Sequence, residues 1–84
     1  MLESSEYRQR YREFLSRLRE ARAFARLTQG EVAQRLGKPQ SFVSKIESGE
    51  RRVDFVELLA FAKLYGVDDV RFLDPDSPVT GPED

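Results

Sequence analysis

The stretch Thr28–Gly49, with the sequence TQGEVAQRLGKPQSFVSKIESG, constrains the fold of this chain more than any other part of it. Thr28 followed three residues later by Glu31 is the pattern of a capping box, which predicts the start of a helix. Gly37 favours the left-handed conformation that ends a helix, and Pro39 suits the beginning of the next one. The stretch therefore predicts two short helices, Gln29–Leu36 and Gln40–Ser48, joined by a tight turn of three residues.

The second of these helices has two chemically different faces. Val43 and Ile46 fall on one side of it, where they can join a core. The side chains on the other side can all form hydrogen bonds; they are Gln40, Ser41, Ser44, Lys45 and Ser48. Two helices joined by a tight turn containing glycine, the second with a polar outer face, are what a reader of the DNA major groove needs.

The net charge of −1 at pH 7 conceals an uneven distribution along the 84 residues. Residues 1–52 carry twelve basic and seven acidic side chains, which gives +5. Residues 53–84 carry two basic and eight acidic side chains, which gives −6. The half that contains the two short helices is basic, and this asymmetry favours a nucleic acid as the partner.

The remaining sequence predicts three more helices and no strand. Apolar residues at helical spacing indicate a long first helix, near 5–26. Asp54 with Glu57 is a second capping pair, and it opens a fourth helix that Gly66 ends. Residues 67–73 predict a short fifth helix. The residues expected in the core are Leu15, Leu18, Ala21, Leu27, Val32, Ala33, Leu36, Val43, Ile46, Leu58, Ala62, Tyr65, Val67 and Phe72.

These elements divide the chain into three parts. Residues 1–13 are an N-terminal extension of the first helix, and residues 14–73 are the helix-turn-helix domain. Residues 74–84 contain three prolines, a glycine and four acidic residues, which predicts a flexible, disordered acidic tail.

Composition argues against an enzyme. The chain has no histidine and no cysteine, which removes the usual general bases, thiol nucleophiles and zinc ligands. It also lacks a glycine-rich loop for phosphates, and no apolar run approaches the ~18 residues that span a bilayer. We therefore expect no catalytic residue, no metal, no cofactor and no membrane association, and a cytoplasmic location, with the protein on the nucleoid when bound to DNA.

A dense set of residues between positions 18 and 73 carries a resemblance to a known family. The shared residues are Leu18-Arg19-x-x-Arg22, Leu27-Thr28-Gln29-x-Glu31-Val32-Ala33, Leu36-Gly37, Gln40-x-x-Val43-Ser44-x-Ile46-Glu47-x-Gly49, Leu58 and Ala62. In these positions the chain resembles the Cro/phage-repressor helix-turn-helix regulators, also called the xenobiotic-response-element type. The resemblance implies an all-α, repressor-like bundle of five helices, usually a dimer on a palindromic operator.

The resemblance also implies which residues read bases. Gln40, Ser41 and Lys45 fall at the base-contact positions of the family, and Ser44 shares their face. Glutamine can pair with adenine through two hydrogen bonds, lysine can donate to guanine, and serine can serve either. The alternative is an ordinary solvated helix face.

Other residues are expected to contact phosphates. Gln29 stands at the first position of the second helix, where the family binds a DNA phosphate. Arg51 and Arg52 lie in the loop after the third helix, which in the family follows the DNA backbone. Weaker candidates are Lys38, Arg35 and Ser48. The alternative for all of them is a solvated surface position.

Arg22 and Glu47 are expected to be structural. Their family equivalents form a largely buried ion pair between the first and third helices, although exposed helix charges are the alternative. If the pair is buried, removing Glu47 would leave Arg22 unpaired at a cost of roughly 3–5 kcal/mol.

The fourth helix is apolar on more than one face, and one small domain cannot bury all of it. The apolar residues that the core cannot bury predict a homodimer. The tyrosines of the first helix are further candidates for its interface. The dimerisation candidates are Tyr7, Tyr11, Phe55, Leu59 and Leu64. The alternative is that these side chains enlarge the core of a monomer.

The sequence thus predicts a sequence-specific DNA-binding transcriptional regulator of prokaryotic or phage type, with double-stranded DNA as its partner. The alternative is an antitoxin or another partner-binding regulator on the same fold. That protein would act through its acidic tail or its fourth helix, and DNA binding would be secondary.

Overall fold

The structure is a computed structural model, and it describes residues 4–67. Within this range the chain forms four helices and no strand. The helices are α1 (Ser4–Phe24), α2 (Gln29–Leu36), α3 (Gln40–Ser48) and α4 (Phe55–Tyr65). The fold class is therefore all-α, whereas the predicted fifth helix, the predicted core residue Phe72 and the predicted acidic tail lie outside the described residues.

The predicted bounds of α2 and α3 are confirmed, because the local signals operate as expected. The Thr28 hydroxyl accepts a hydrogen bond from the Glu31 backbone N–H at 3.1 Å, and the Thr28 N–H donates to Glu31 Oε1 at 2.8 Å. These two bonds satisfy N–H groups that an uncapped helix leaves without partners. Gly37 and Gly49 end the two helices in the left-handed conformation, with φ of 68° and 86°.

The same signals fix α4. The Asp54 carboxylate accepts from the Glu57 N–H at 2.7 Å, and the Asp54 N–H donates to Glu57 Oε1 at 3.1 Å. Gly66 closes the helix, again in the left-handed conformation. The predicted capping pair and C-cap are therefore confirmed.

The predicted end of the first helix, Arg26, is wrong by two residues, since α1 ends at Phe24. Arg26 adopts a φ of 60°, and the Leu27 N–H donates to the Arg22 carbonyl at 3.3 Å. This left-handed turn normally uses glycine or asparagine. Because an arginine occupies the position here, the sequence gives no sign of the helix end.

The core is built from buried residues of all four helices. Eight predicted core residues are confirmed as buried: Leu15, Leu18, Val32, Ala33, Val43, Ile46, Ala62 and Tyr65. Five more pack half-buried against the core: Ala21, Leu27, Leu36, Leu58 and Val67. Phe61 was not predicted, yet it is only 1% exposed.

Phe61 was missed because α4 is apolar on several faces, so periodicity alone cannot select its buried side. In the structure the Phe61 ring lies between Phe42 and Tyr65, with ring-centre separations of 6.4 and 5.9 Å. Full burial of such a side chain contributes about 1.5–3 kcal/mol.

Across residues 4–67, none of the helices combines the length and the apolar character needed to cross a membrane.

Candidate nucleic-acid interface

The outer face of α3 carries polar side chains at the surface. Gln40, Ser41 and Lys45 are exposed, and Ser44 is half-buried. The Ser44 hydroxyl donates to the Ser41 carbonyl at 3.3 Å, so it is partly engaged within its own helix. Three of the four predicted base-contact residues thus form one continuous exposed patch.

The inner face of α3 fixes this patch relative to the rest of the domain. Val43 and Ile46 have no solvent exposure and pack into the core. Pro39 precedes the helix with extended backbone angles, and Gly49 ends it. Because both ends and the buried stripe are constrained, the helix presents its polar residues from a rigid support.

The structure brings Arg22 of α1 and Glu47 of α3 into direct contact. Arg22 Nε donates to Glu47 Oε2 at 2.7 Å, and Arg22 Nη2 donates to Oε1 at 3.0 Å. Glu47 is 3% exposed, and its carboxylate raises the pKa of Arg22 above the ordinary value. Arg19 adds a bond from Nη1 to the Glu47 carbonyl at 2.8 Å. Two arginines of α1 therefore hold the C-terminal half of α3.

The same carboxylate extends a chain of hydrogen bonds to the start of α3. Gln29 Nε2 donates to Glu47 Oε1 at 2.9 Å, and Gln40 Nε2 donates to Gln29 Oε1 at 3.5 Å. An amide nitrogen has two hydrogens, so each glutamine retains one further N–H after making these bonds. Gln29, the predicted phosphate contact, is thus also a link between Glu47 and the first residue of α3.

Tyr65 lies close to this network from the side of α4. Its side chain is buried in the core cluster. Burial raises the pKa of its hydroxyl, and the nearby negative charge of Glu47 raises it further. Tyr65 is therefore a neutral neighbour of the ion pair at physiological pH.

The loop after α3 holds Arg51 in a specific place. Its guanidinium donates to both carboxylate oxygens of Glu57, at 2.9 and 3.0 Å. It also lies over the Phe42 ring at 4.8 Å from the ring centre, and Lys38 approaches the same ring at 5.3 Å. The Arg51 bond lowers the pKa of Glu57. This predicted phosphate contact therefore already has an acidic partner.

Arg52 has aromatic partners instead. Its guanidinium lies 4.9 Å from the Tyr7 ring centre and 4.7 Å from that of Tyr11. Its Nη1 donates to the Tyr7 hydroxyl. The neighbouring Val53 N–H donates to the Tyr11 hydroxyl at 3.3 Å. The two tyrosines, predicted as dimerisation candidates, thus make contacts within the protomer that fix the loop.

Other predicted residues have more ordinary surroundings. The Ser48 hydroxyl donates to the Lys45 carbonyl at 3.1 Å and accepts from the Glu50 N–H at 3.3 Å. Arg35 is exposed on α2. Of the apolar candidates on α4, Phe55 is 64% and Leu59 is 45% exposed, whereas Leu64 is half-buried against the core.

Sequence reasoning missed the roles of Arg19 and Phe42. Arg19 binds the backbone of α3, and no side-chain pattern announces a bond to a carbonyl. Phe42 stacks on Phe61, with 9° between the ring planes, and supports Arg51 on its face. The signal that could have located it is an aromatic residue next to the apolar stripe of Val43 and Ile46 on an amphipathic helix.

Comparison with known proteins gives two matches. A family model described as a helix-turn-helix domain matches residues 13–73. A solved structure described as an XRE-family like protein from Pseudomonas syringae pv. tomato str. DC3000 is similar, with 46% sequence identity and a TM-score of 0.75. The alignment covers 82% of this chain and 83% of that chain. No curated protein matches.

Proposed function

Because this chain belongs to the XRE/Cro-type helix-turn-helix family of DNA-binding regulators, we propose that it is a homodimeric, sequence-specific transcriptional regulator. Each protomer inserts α3 into the major groove of a palindromic operator. The observation that carries this proposal is the exposed polar face of α3, which is held on a helix whose opposite face is locked into the core.

Base reading is assigned to Gln40, Ser41 and Lys45, with a smaller part for the half-buried Ser44. Gln40 keeps its carbonyl oxygen and one N–H after donating to Gln29, and this pair of groups matches the acceptor and donor pattern of adenine. Lys45 can donate to guanine. Each good bidentate contact contributes about 1–3 kcal/mol of discrimination against the wrong base.

Phosphate contacts fix the register of α3 without reading sequence. We assign them to Gln29, Lys38, Ser48, Arg51 and Arg52. Arg52 should contribute more electrostatically than Arg51, because Arg51 is paired with Glu57 whereas aromatic rings support the Arg52 charge. Arginine binds phosphate well because its planar group donates two parallel hydrogen bonds.

Dimerisation is assigned to the exposed apolar side of α4. Phe55 and Leu59 lie one turn apart on it, and Val56 beside them is 73% exposed. Tyr7, at the far end of α1, is 42% exposed and can add to this surface, while Tyr11 and Leu64 are more covered. A two-fold dimer would place two α3 helices about 34 Å apart, which is one turn of DNA.

Fluorescence anisotropy with operator candidates from the source genome, measured across a salt series, tests the proposal. A sequence-specific dimer should give a slope of roughly −4 to −8 in log K against log salt, for about 4–8 phosphate neutralisations. K63Q, which removes an exposed positive charge from the last turn of α4, is a control for net charge. A flat salt response without sequence preference would contradict the proposed function.

A second candidate function, a partner-binding regulator such as an antitoxin, is favoured by the charge of −6 over residues 53–84. A cationic protein would be its partner. Deletion of residues 74–84 tests it: regulation in cells should be lost while operator affinity in vitro is retained. Unchanged regulation after the deletion would contradict this second candidate function.

A further inference from the structure

A basic pocket lies between the N-terminal half of α1 and the end of α3. Its volume is about 250 Å³, and none of the residues that line it is acidic. Arg8 and Arg12 contribute from α1, and Arg52 contributes from the loop after α3. Ser48 and Gly49 line it at the end of α3. We call this feature the arginine pocket.

The arrangement gathers three positive side chains around one pocket. Arg8 and Arg12 stand four residues apart, so they share one face of α1, and like charges at this spacing destabilise a helix by a few tenths of a kcal/mol. Both side chains are exposed. Arg52 adds a third positive charge from a distant part of the sequence. Three guanidinium groups line this pocket, and its lining within residues 4–67 contains no acidic side chain, which favours an anionic ligand.

The geometry also fixes the pocket in advance. Tyr7 and Tyr11 hold Arg52 through their rings, so this guanidinium is ordered before any ligand arrives. On the other side of the pocket, Gly49 lies close to Leu15. A Cβ added at Gly49 would lie 3.2 Å from Leu15 Cδ1. Helix α1 is therefore packed directly against the C-cap of α3. A preorganised site loses less conformational entropy on binding.

We propose that the arginine pocket binds a phosphate group of the DNA backbone and so extends the DNA contact onto the N-terminal part of α1. The proposal rests on the proposed function. Backbone phosphate is the committed ligand because the pocket begins at the last residue of α3, and phosphates flank the groove that this helix would enter. Arg8 and Arg12 would grip the phosphate together with Arg52, through paired hydrogen bonds.

Single substitutions at Arg8 and Arg12 provide the first test, with R17Q as the matched control. Arg17 follows Arg8 by nine residues, or two and a half turns, so it faces the opposite side of α1. There it lines a cleft with Glu13 and Glu20. All three substitutions remove one positive charge from the same helix. Circular dichroism melting should show that each variant keeps the fold.

R8Q and R12Q should each weaken specific and non-specific duplex binding by the same factor, about tenfold for a charged hydrogen-bonded contact. Each should also make the salt slope shallower by about 1 per protomer. R17Q should change neither quantity beyond the loss expected from long-range charge. Affinities and slopes of R8Q and R12Q equal to those of R17Q would overturn the proposal.

Neutral methylphosphonate linkages, placed one at a time in the operator, identify the source of the phosphate. At one position, the methylphosphonate should weaken binding of the wild type but leave binding of R12Q unchanged. Such non-additive effects are expected when two groups are in direct contact. In a parallel arm, inorganic phosphate is titrated at constant ionic strength without DNA. An Arg12-dependent response to inorganic phosphate, with additive effects at every methylphosphonate position, would contradict a DNA ligand.

The arginine pocket and the proposed function can be refuted separately. If the wild type binds its operator with a steep salt slope while R8Q and R12Q behave as R17Q does, the arginine pocket is not a phosphate site and the proposed function stands. If the wild type shows neither sequence preference nor salt dependence, both proposals are refuted.

Discussion

Removing the Glu47 carboxylate tests the packing of α3 most sharply. Glu47 is 3% exposed and accepts side-chain hydrogen bonds from Arg22 and Gln29. E47A would leave Arg22, whose side chain is 21% exposed, without its acidic partner. Breaking a buried pair in this way costs about 3–5 kcal/mol. Arg22 keeps its bond to the Leu27 carbonyl and some contact with water, so we expect about 3 kcal/mol.

This loss is large for a small domain. At typical values per residue, a chain of this length has a free energy of unfolding of roughly 4–12 kcal/mol. E47A should therefore unfold at a much lower urea concentration than the wild type, measured by circular dichroism at 222 nm. The Arg19 bond should survive, because it is made to the Glu47 backbone carbonyl.

The double variant R22M/E47M is the matched control. It removes both charges and fills the space with side chains of similar length, so it should be more stable than E47A. A double-mutant cycle of R22M, E47M and R22M/E47M then gives the coupling free energy between the two positions. A cost below about 1 kcal/mol for E47A, or additive effects in the cycle, would refute a buried, structurally required pair.

E47A should also lose DNA affinity, although Glu47 is buried and has no proposed contact with a base. The loss should follow the unfolded fraction, and a stabilising osmolyte such as trimethylamine N-oxide should restore binding. Binding that stays lost in fully folded E47A would instead indicate a direct or orienting role through Gln29.

Two further predictions concern stability. R26G should raise the free energy of unfolding by about 0.5–1 kcal/mol in urea denaturation. Glycine removes the strain of the positive φ at Arg26, and this gain exceeds the extra entropy that glycine loses on folding. Unchanged or lower stability would contradict this prediction. The bond to Arg51 lowers the pKa of Glu57 in the folded state, so stability should fall as the pH drops below the unfolded value of about 4.3, where the unfolded chain takes up the proton first. E57Q should flatten this acid dependence in pH-dependent thermal melts, and equal acid sensitivity of E57Q and the wild type would contradict it.

The sequence predicted the elements whose determinants are local. Thr28 with Glu31, and Gly37, set the bounds of α2 through bonds that span only a few residues, so no knowledge of the rest of the fold was needed. The end of α1 was not predicted correctly, because Arg26 adopts a left-handed conformation that arginine does not favour.

The contacts that escaped prediction connect distant parts of the sequence. The surplus apolar residues of α4 could not be divided between core and surface, since only tertiary packing shows that Phe61 is buried and Phe55 exposed. The contacts of Tyr7 and Tyr11 with Arg52 could not be foreseen, because Arg52 lies more than forty positions away in the sequence. Periodicity shows which face of a helix is apolar but not what covers it.

The claim that the exposed face of α3 reads bases can be tested by selection from a randomised duplex library. The wild type should enrich a palindromic motif. Q40A and K45A should each lose preference at one position of every half-site, at about 1–3 kcal/mol, while R52A weakens binding and keeps the motif. Enrichment of the wild-type motif by Q40A and K45A, or of no motif by the wild type, would contradict the claim.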